Sequence, residues 1–310
     1  MYAQLAAMEK AGLPFDTAFS LLHLPGDMEK RVQEFRKMTT KGLDVPTAGL
    51  KSGLFTKLEA TVLRAAFEAG SPTLSYKRLA TRLDHQARQA SLIKSRSIMP
   101  LLILLIALVV QPLPALVAGS MTMGSYVLFV IRPFIFLALL VFLYQFISAR
   151  LSTPTNNPTS IQISFSNFVT RIPIFGTMLV RRNVRDFYEN LALMLEAGIP
   201  MFDALPLAVE TVSLSVIRIE FNQLRPKMEH GLTLAQAVSD LRYQTNSSIQ
   251  SYAQTGEGSG NLSDMLFRFA DGESEAIAQF QSQLATWLPR ALYFSIALWM
   301  AYQILHTHLI

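Results

Sequence analysis

Residues 2–14 of this chain recur at residues 188–200. Tyr2, Leu5, Ala6, Met8, Ala11, Gly12, Leu13 and Pro14 are answered by Tyr188, Leu191, Ala192, Met194, Ala197, Gly198, Ile199 and Pro200, always 186 positions later. The same offset joins Ala18-Phe19 to Ala204-Leu205. After a small insertion it becomes 189, pairing Gly42-Leu43 with Gly231-Leu232, Glu68 with Glu257 and Pro100 with Pro289. Register held over about a hundred residues with one gap identifies a single unit used twice. Each copy ends in an apolar stretch long enough to cross a membrane, so the chain reads as a duplicated cytoplasmic-plus-membrane module.

The membrane reading rests on where charge is missing. Only 16% of the 310 residues are charged, against roughly 25% in soluble domains. Ile98–Ala118 carries no charge, Tyr126–Ser148 only Arg132, and Trp287–Leu305 only Arg290. Each segment is about 20 residues, which at about 1.5 Å per residue matches a hydrocarbon core of roughly 30 Å. The first residues mix Glu9, Lys10 and Asp16 with apolar side chains and hold no signal-peptide core. Fifteen Lys and Arg precede the first apolar segment, none lie in Gly119–Ser125, and Arg150, Arg171, Arg181, Arg182 and Arg185 follow the second. Positive residues flank cytoplasmic ends, so the N-terminus and both large segments are expected inside and the C-terminus outside. The expected boundaries are residues 1–97 for the first cytoplasmic domain, 98–118 and 126–148 for two spans around a periplasmic loop 119–125, 149–172 for a cytoplasmic linker, 173–286 for the second domain and 287–308 for a third span.

The cytoplasmic parts read as helices. Phe187, Leu191, Met194 and Leu195 share one helical face, as do Leu205, Ala208, Val209 and Val212, and then Leu262, Met265, Leu266, Phe269, Ala276, Ile277 and Phe280. Between the first two sits Ala197-Gly198-Ile199-Pro200, matched by Ala11-Gly12-Leu13-Pro14. Gly12 and Gly198 suit the left-handed end of a helix, and Pro14 and Pro200 stop its continuation. Asp16 and Asp203 then read as N-caps of the following helices. Thr153, Pro154, Asn156, Asn157 and Pro158 mark the linker, and Pro173-Ile174-Phe175-Gly176 opens the second copy. The fold class expected is an all-α membrane protein: two homologous helical bundles and three transmembrane helices.

With no cysteine there is no disulfide or thiolate metal site. A pI near 9.4 fits Lys and Arg beside anionic lipid. Nucleic-acid binding is the weaker reading, because no aromatic–basic motif accompanies the charge. His306 and His308 do not share a helix face. Arg132 and Arg290 read as anchors near the ends of their spans or as candidates for interhelical pairing. Asp84, His85 and Arg88 read as a solvated face, and five scattered His assemble no nucleophile–base set. No Gly-x-x-x-x-Gly-Lys-Ser/Thr occurs, so no phosphate cradle is expected.

The second copy also carries Thr255-Gly256-Glu257-Gly258-Ser259-Gly260-Asn261-Leu262, followed by Leu266 and Ala270. Together with Pro173-x-x-Gly176, Leu191-Ala192, the Gly198-Ile199-Pro200 turn and Gly231-Leu232, this resembles the type II secretion system F domain family. These are the polytopic inner-membrane platform proteins of type II secretion systems and type IV pili. The resemblance covers nearly the whole chain in the order domain, span, span, domain, span. The first copy departs from the pattern, with Glu68-Ala69-Gly70-Ser71-Pro72 where Glu-x-x-Gly is expected. Family members commonly carry an N-terminal extension before the first repeat, where this chain begins directly, so contacts made through it are not carried over.

On the residues alone, Gly256, Gly258 and Gly260 form a permissive turn between helices. The lone Glu257 within it clamps free amides at the start of the next helix or serves as a contact point for a motor or another subunit. The resemblance implies a non-enzymatic platform that couples a cytoplasmic hexameric ATPase to extraction and polymerisation of pilin or pseudopilin subunits. Its implied partners are that ATPase, the pilins, other inner-membrane assembly proteins, the lipid bilayer and further copies of itself, with no cofactor, metal or nucleic acid. A duplicated membrane protein also fits a transport subunit or permease, although three spans with Gln111, Arg132, Gln145 and Arg290 as their main polar groups are few for a substrate path. A membrane-bound hydrolase is a third reading, and it lacks a nucleophile–base set.

Overall fold

The computed structural model describes residues 1–84 except 23, 25 and 71, scattered residues between 87 and 139, residues 167 and 170, and residues 175–307 except 244–247. Among these residues every regular element is a helix and no strand occurs, in line with the apolar periodicities. The chain divides into two compact units, Met1–Ala87 with Asn157–Ile277, and Arg88–Asn156 with Ala278–Ile310.

The first unit holds both helical halves. The first half comprises α1 (Tyr2–Lys10), α2 (Phe15–Leu21), α3 (Asp27–Thr40), α4 (Val45–Lys51), α5 (Lys57–Glu68) and α6 (72–84). In the second unit lies α7 (Leu113–Val117). The second half comprises α8 (Phe175–Glu196), α9 (Met201–Glu210), α10 (Ser215–Phe221), α11 (Leu224–Glu229), α12 (Leu234–Ser239), α13 (Ser248–Ser259) and the start of α14 (Leu262–Thr307). Each half has an aromatic core. Phe19 lies 4.4 Å from Phe35, with Tyr2 and Phe55 around them. Phe187 lies 4.4 Å from Phe221, and Tyr188 lies edge-on to Phe269 at 5.2 Å. Tyr2 and Tyr188, and Phe35 and Phe221, are buried pairs at the 186-residue offset.

The halves differ where that offset changes. The first runs one helix, α3, through Phe35 to Thr40, whereas the second breaks after Phe221 and restarts as α11. Pro226 lies in that restart and has no N–H for the preceding turn, so an uninterrupted helix is unavailable there. The three additional residues between Phe221 and Gly231 accommodate the break.

Several sequence expectations shift at the helix ends. Gly12 (φ 75°) and Gly198 (φ 89°) close α1 and α8, with Leu13 N donating to Met8 O and Ile199 N to Met194 O, both at 3.0 Å. Pro14 and Pro200, not Asp16 and Asp203, occupy the cap positions of α2 and α9. The fixed φ of proline suits the extended cap, and Asp203 falls instead in the first turn.

Only parts of the second unit are described. They include α7, the later portion of α14, a Tyr126 hydroxyl donating to Val109 O at 3.0 Å, and Arg290 over the Trp287 ring at 5.6 Å. Among the described residues no helix is long and apolar enough to cross a membrane. Most of the predicted spans 98–118 and 126–148, nearly all of the linker 149–172, and His85, Arg88 and His308 lie outside the described residues.

Candidate functional site

The Gly256–Gly260 run reads as a turn, but the structure places Gly256 and Gly258 inside α13 and leaves only Gly260, at φ 71°, to turn the chain. Asn261 N donates back across it to Gly256 O at 3.0 Å. Gly256 serves close approach instead of bending. A Cβ there would stand 2.8 Å from Leu262 Cα and 3.1 Å from Met265 Cβ, so α13 and α14 meet at a distance that only glycine permits.

Glu257 points away from that turn. Its Oε1 accepts from Leu234 N at 2.6 Å and its Oε2 from Ala235 N at 3.2 Å. The helix it clamps is therefore α12, more than twenty residues upstream, and not α14, the following helix of the sequence reading. Its partners are explained by what α12 lacks. Thr233 is the N-cap: its Oγ1 accepts from Gln236 N at 3.2 Å, and Gln236 Oε1 accepts from Thr233 N at 3.0 Å. That capping box leaves the two intervening amides free, and Glu257 takes both. At the start of α14, Asn261 instead donates its side-chain amide to Asp264 at 3.1 Å.

The first half meets the same requirement differently. The position matching Ala235 is Pro46, which has no amide to satisfy, and the cap Asp44 carries its own charge and accepts from Thr47 N at 3.1 Å. Glu68 has no clamp to make: it is exposed and has no hydrogen-bond partner among the described residues. The helix ends also change the pairing. Gly70 N donates to Phe67 O as Gly260 N donates to Glu257 O, so Phe67, not Glu68, occupies the place of Glu257. Phe67 packs against the first core, with its ring edge-on to Tyr76 at 6.3 Å. The identity of Glu68 and Glu257 in sequence is a one-residue slip, about 100° around a helix.

Two further side chains wire the short helices of the second half in the same manner. Asn183 is buried, and its Oδ1 accepts from Ser213 N at 2.7 Å and Leu214 N at 3.0 Å, ahead of α10. Glu220 accepts from Arg242 N and from Tyr243 N. No sequence signal marks these residues, because their partners lie some twenty to thirty positions away.

Charge also joins the halves. Arg78 on α6 grips Glu196 with Nε at 3.0 Å and Nη2 at 2.8 Å, reaches Asp264 at 3.3 Å and lies 4.5 Å over the Phe267 ring. The hydrogen bond to Glu196 pushes the Arg78 guanidinium further up, against the effect of burial. Arg82 stands 3.6 Å from Glu189, whose carboxyl is raised because burial outweighs the pull of Arg82 and Arg185. Among the described residues no group of His, Asp and Glu side chains could hold a metal ion.

A family model for the type II secretion system (T2SS), protein F, matches residues 1–118 and again residues 187–301. The chain belongs to the type II secretion system protein F family. Similar relatives include a type 4 fimbrial assembly protein PilC of Pseudomonas putida, 24% identical over 95% of this chain and 78% of that protein. A type IV pilus assembly protein PilC of Thermus thermophilus is 23% identical over 86% of this chain and 70% of its own length. A type II secretion system protein F of Pseudomonas aeruginosa is 27% identical over 41% of this chain and 31% of its own length. The two segments matched to the protein F family contain both the Gly12–Pro14 and Gly198–Pro200 turns and the whole Glu257 clamp.

Proposed function

We propose that this chain is a polytopic inner-membrane platform protein of a type IV pilus or type II secretion assembly machine. The observation that carries the reading is the protein F match to both halves of the chain, supported by relatives named for pilus assembly and type II secretion. The two matched segments are copies of one helical domain, with apolar segments 98–118, 126–148 and 287–308 holding the chain in the bilayer. Both helical domains face the cytoplasm, where they dock a hexameric assembly ATPase. The ATPase supplies the energy, and the platform, which has no enzymatic activity of its own, passes its movement to pilin or pseudopilin subunits leaving the membrane. α14 suits that relay, because one continuous helix includes Leu266 and Phe269 of the second core and continues to Thr307.

The test is affinity purification of the chain from its native membrane in mild detergent. An assembly ATPase and pilin-like proteins are expected to co-purify, and the isolated chain is expected not to turn over ATP. Recovery of a bound small solute with neither protein, or robust ATP hydrolysis by the chain alone, would overturn the proposal.

A further inference from the structure

Four ion pairs among the described residues join the two halves: Lys57–Glu210 at 2.5 Å, Arg78–Glu196, Arg78–Asp264 and Arg82–Glu189. In each, the cation comes from the first half and the acid from the second. The polarity follows the composition, since residues 1–84 carry 12 Lys and Arg against nine Asp and Glu, and residues 175–277 carry eight against 13.

The apolar part of the seam is narrow. On α5, Leu58, Val62 and Ala65 face the core of the second half, and of these only Val62 is fully buried. The charged part is mixed: Lys57, Arg78 and Asp264 keep 70%, 36% and 43% of their side chains exposed, whereas Glu196, Arg82 and Glu189 keep only 15%, 16% and 20%. Each half, by contrast, closes over its own ring cluster. A contact that buries little apolar surface and leans on ion pairs, two of them open to water and two partly shielded, is more polar than either aromatic core and resembles an interface between domains. Opening it uncovers Val62, Leu58, Ala65 and the second-half surface they cover, while the ring clusters Phe19–Phe35 and Phe187–Phe221 each lie within one half.

We infer that the α5–α6 face and the α8–α14 face form a charge-latched joint, which opens and closes while both halves stay folded. Arg78 is its central group, since among the described residues it alone engages two acids and an aromatic ring across the seam. Release presents a basic face carrying Lys57, Arg78 and Arg82 and an acidic face carrying Glu189, Glu196, Glu210 and Asp264. The inference uses only contacts between the halves and does not depend on the platform reading.

Zero-length carbodiimide coupling of the full chain in detergent tests the joint, because it forms an amide only between a lysine and a carboxylate in contact. Lys57–Glu210 reports the joint, and Lys227–Asp240, 3.2 Å apart within the second half, is the internal control. The ratio of the two cross-linked peptides should fall about fivefold as salt rises from about 0.01 M to 1 M, where the screening length shrinks from roughly 30 Å to 3 Å. The far-UV helix signal should stay constant throughout. At low salt Arg78→Glu should lower the ratio, and Arg78→Glu with Glu196→Arg should restore it. A ratio independent of salt, a fall accompanied by loss of helix, or a double reversal that fails to restore the cross-link would each overturn the inference.

Discussion

Removing the Glu257 carboxylate should loosen one short helix far from it in sequence. In Glu257→Ala, Leu234 N and Ala235 N lose both acceptors at once, while Thr233 and Gln236 keep their own exchange. Loss of an N-terminal cap costs about 0.5–2 kcal/mol, and an amide left buried without a partner costs about 1–3 kcal/mol. The site is half-buried, so water replaces part of what is lost. The expected local cost is about 2 kcal/mol, or roughly a 30-fold rise in the open population of α12. Glu257→Gln is not a silent change here. Two amides point at two carboxylate oxygens, and glutamine offers one oxygen and an NH₂ that faces a donor. Its expected cost is about 1 kcal/mol, or roughly fivefold.

The assay is hydrogen–deuterium exchange with mass spectrometry on the full chain, reading peptides that span Gly231–Leu241. Exchange there should accelerate in the order wild type, Glu257→Gln, Glu257→Ala, with peptides from α1–α6 unchanged. Glu68→Gln is the control and should leave every peptide at the wild-type rate. Unchanged exchange of α12 in Glu257→Ala, or an equal effect at Glu68, would refute the clamp. The same variants separate the two roles open to Glu257. If pilus or pseudopilus assembly fails in Glu257→Gln and recovers when α12 is stabilised elsewhere, its contribution is to the fold. If assembly fails with α12 still protected, Glu257 also meets a partner.

Gly256→Ala should destabilise the second half by about 1–3 kcal/mol despite alanine's better helix propensity, because the new Cβ meets the backbone of Leu262 at 2.8 Å; a thermal melt that moves upward would contradict the close approach. Arg82→Gln should cost stability at neutral pH and little at acid pH. Glu189 already titrates above its ordinary value, so its folded form favours the proton, and stability from this group falls as pH rises from the ordinary carboxylate range through the raised one. Loss of Arg82 raises Glu189 further, so the gap between variant and wild-type melting temperatures should close on acidification below the ordinary carboxylate range, and a gap independent of pH would remove Glu189 from the account. For topology, a reporter inserted near Asn156 should register the cytoplasm and one fused after Ile310 the periplasm; a cytoplasmic signal at both would leave residues 287–308 on the cytoplasmic side of the membrane.

What was legible in the sequence depended on how far apart the cooperating residues lie. The helical faces of Leu191 and Met194, or Leu205, Ala208 and Val209, are periodic within one element, and those residues are buried as the period requires. The Gly198–Pro200 turn is equally local, since its defining bond spans only five residues. Asp203 misled as a cap because proline at position 200 already fixes the entry to α9. Glu257 was visible as an unusual acid among glycines, but its partners were not. The nearest helix start in sequence belongs to α14, while the two amides that Glu257 takes belong to α12. Arg78 and Arg82 gave no local sign at all. Their acids are on the other half, and only the opposite charge balance of residues 1–84 and 175–277 hinted that the halves attract.

The slip between Glu68 and Glu257 shows how a matched sequence register can conceal a structural difference. Aligned letters pair the two acids and set a stretch with one glycine, Gly70, against one with three. Helix ends and hydrogen bonds give a different correspondence: Phe67 stands where Glu257 does, and Pro46 offers no amide where Ala235 has one. The two features go together: Pro46 leaves one amide fewer for a clamp where Phe67 offers no carboxylate. Restoring the donor alone therefore harms. Pro46→Ala would add an amide in the first turn of α4, where proline itself costs little, with Phe67 in place of a carboxylate, so α4 should lose protection. Pro46→Ala combined with Phe67→Glu should bind that amide and recover protection of α4, whereas Phe67→Glu alone should only cost packing against Tyr76. Exchange rates of α4 that respond additively to the two changes would show that the halves do not share a clamp position.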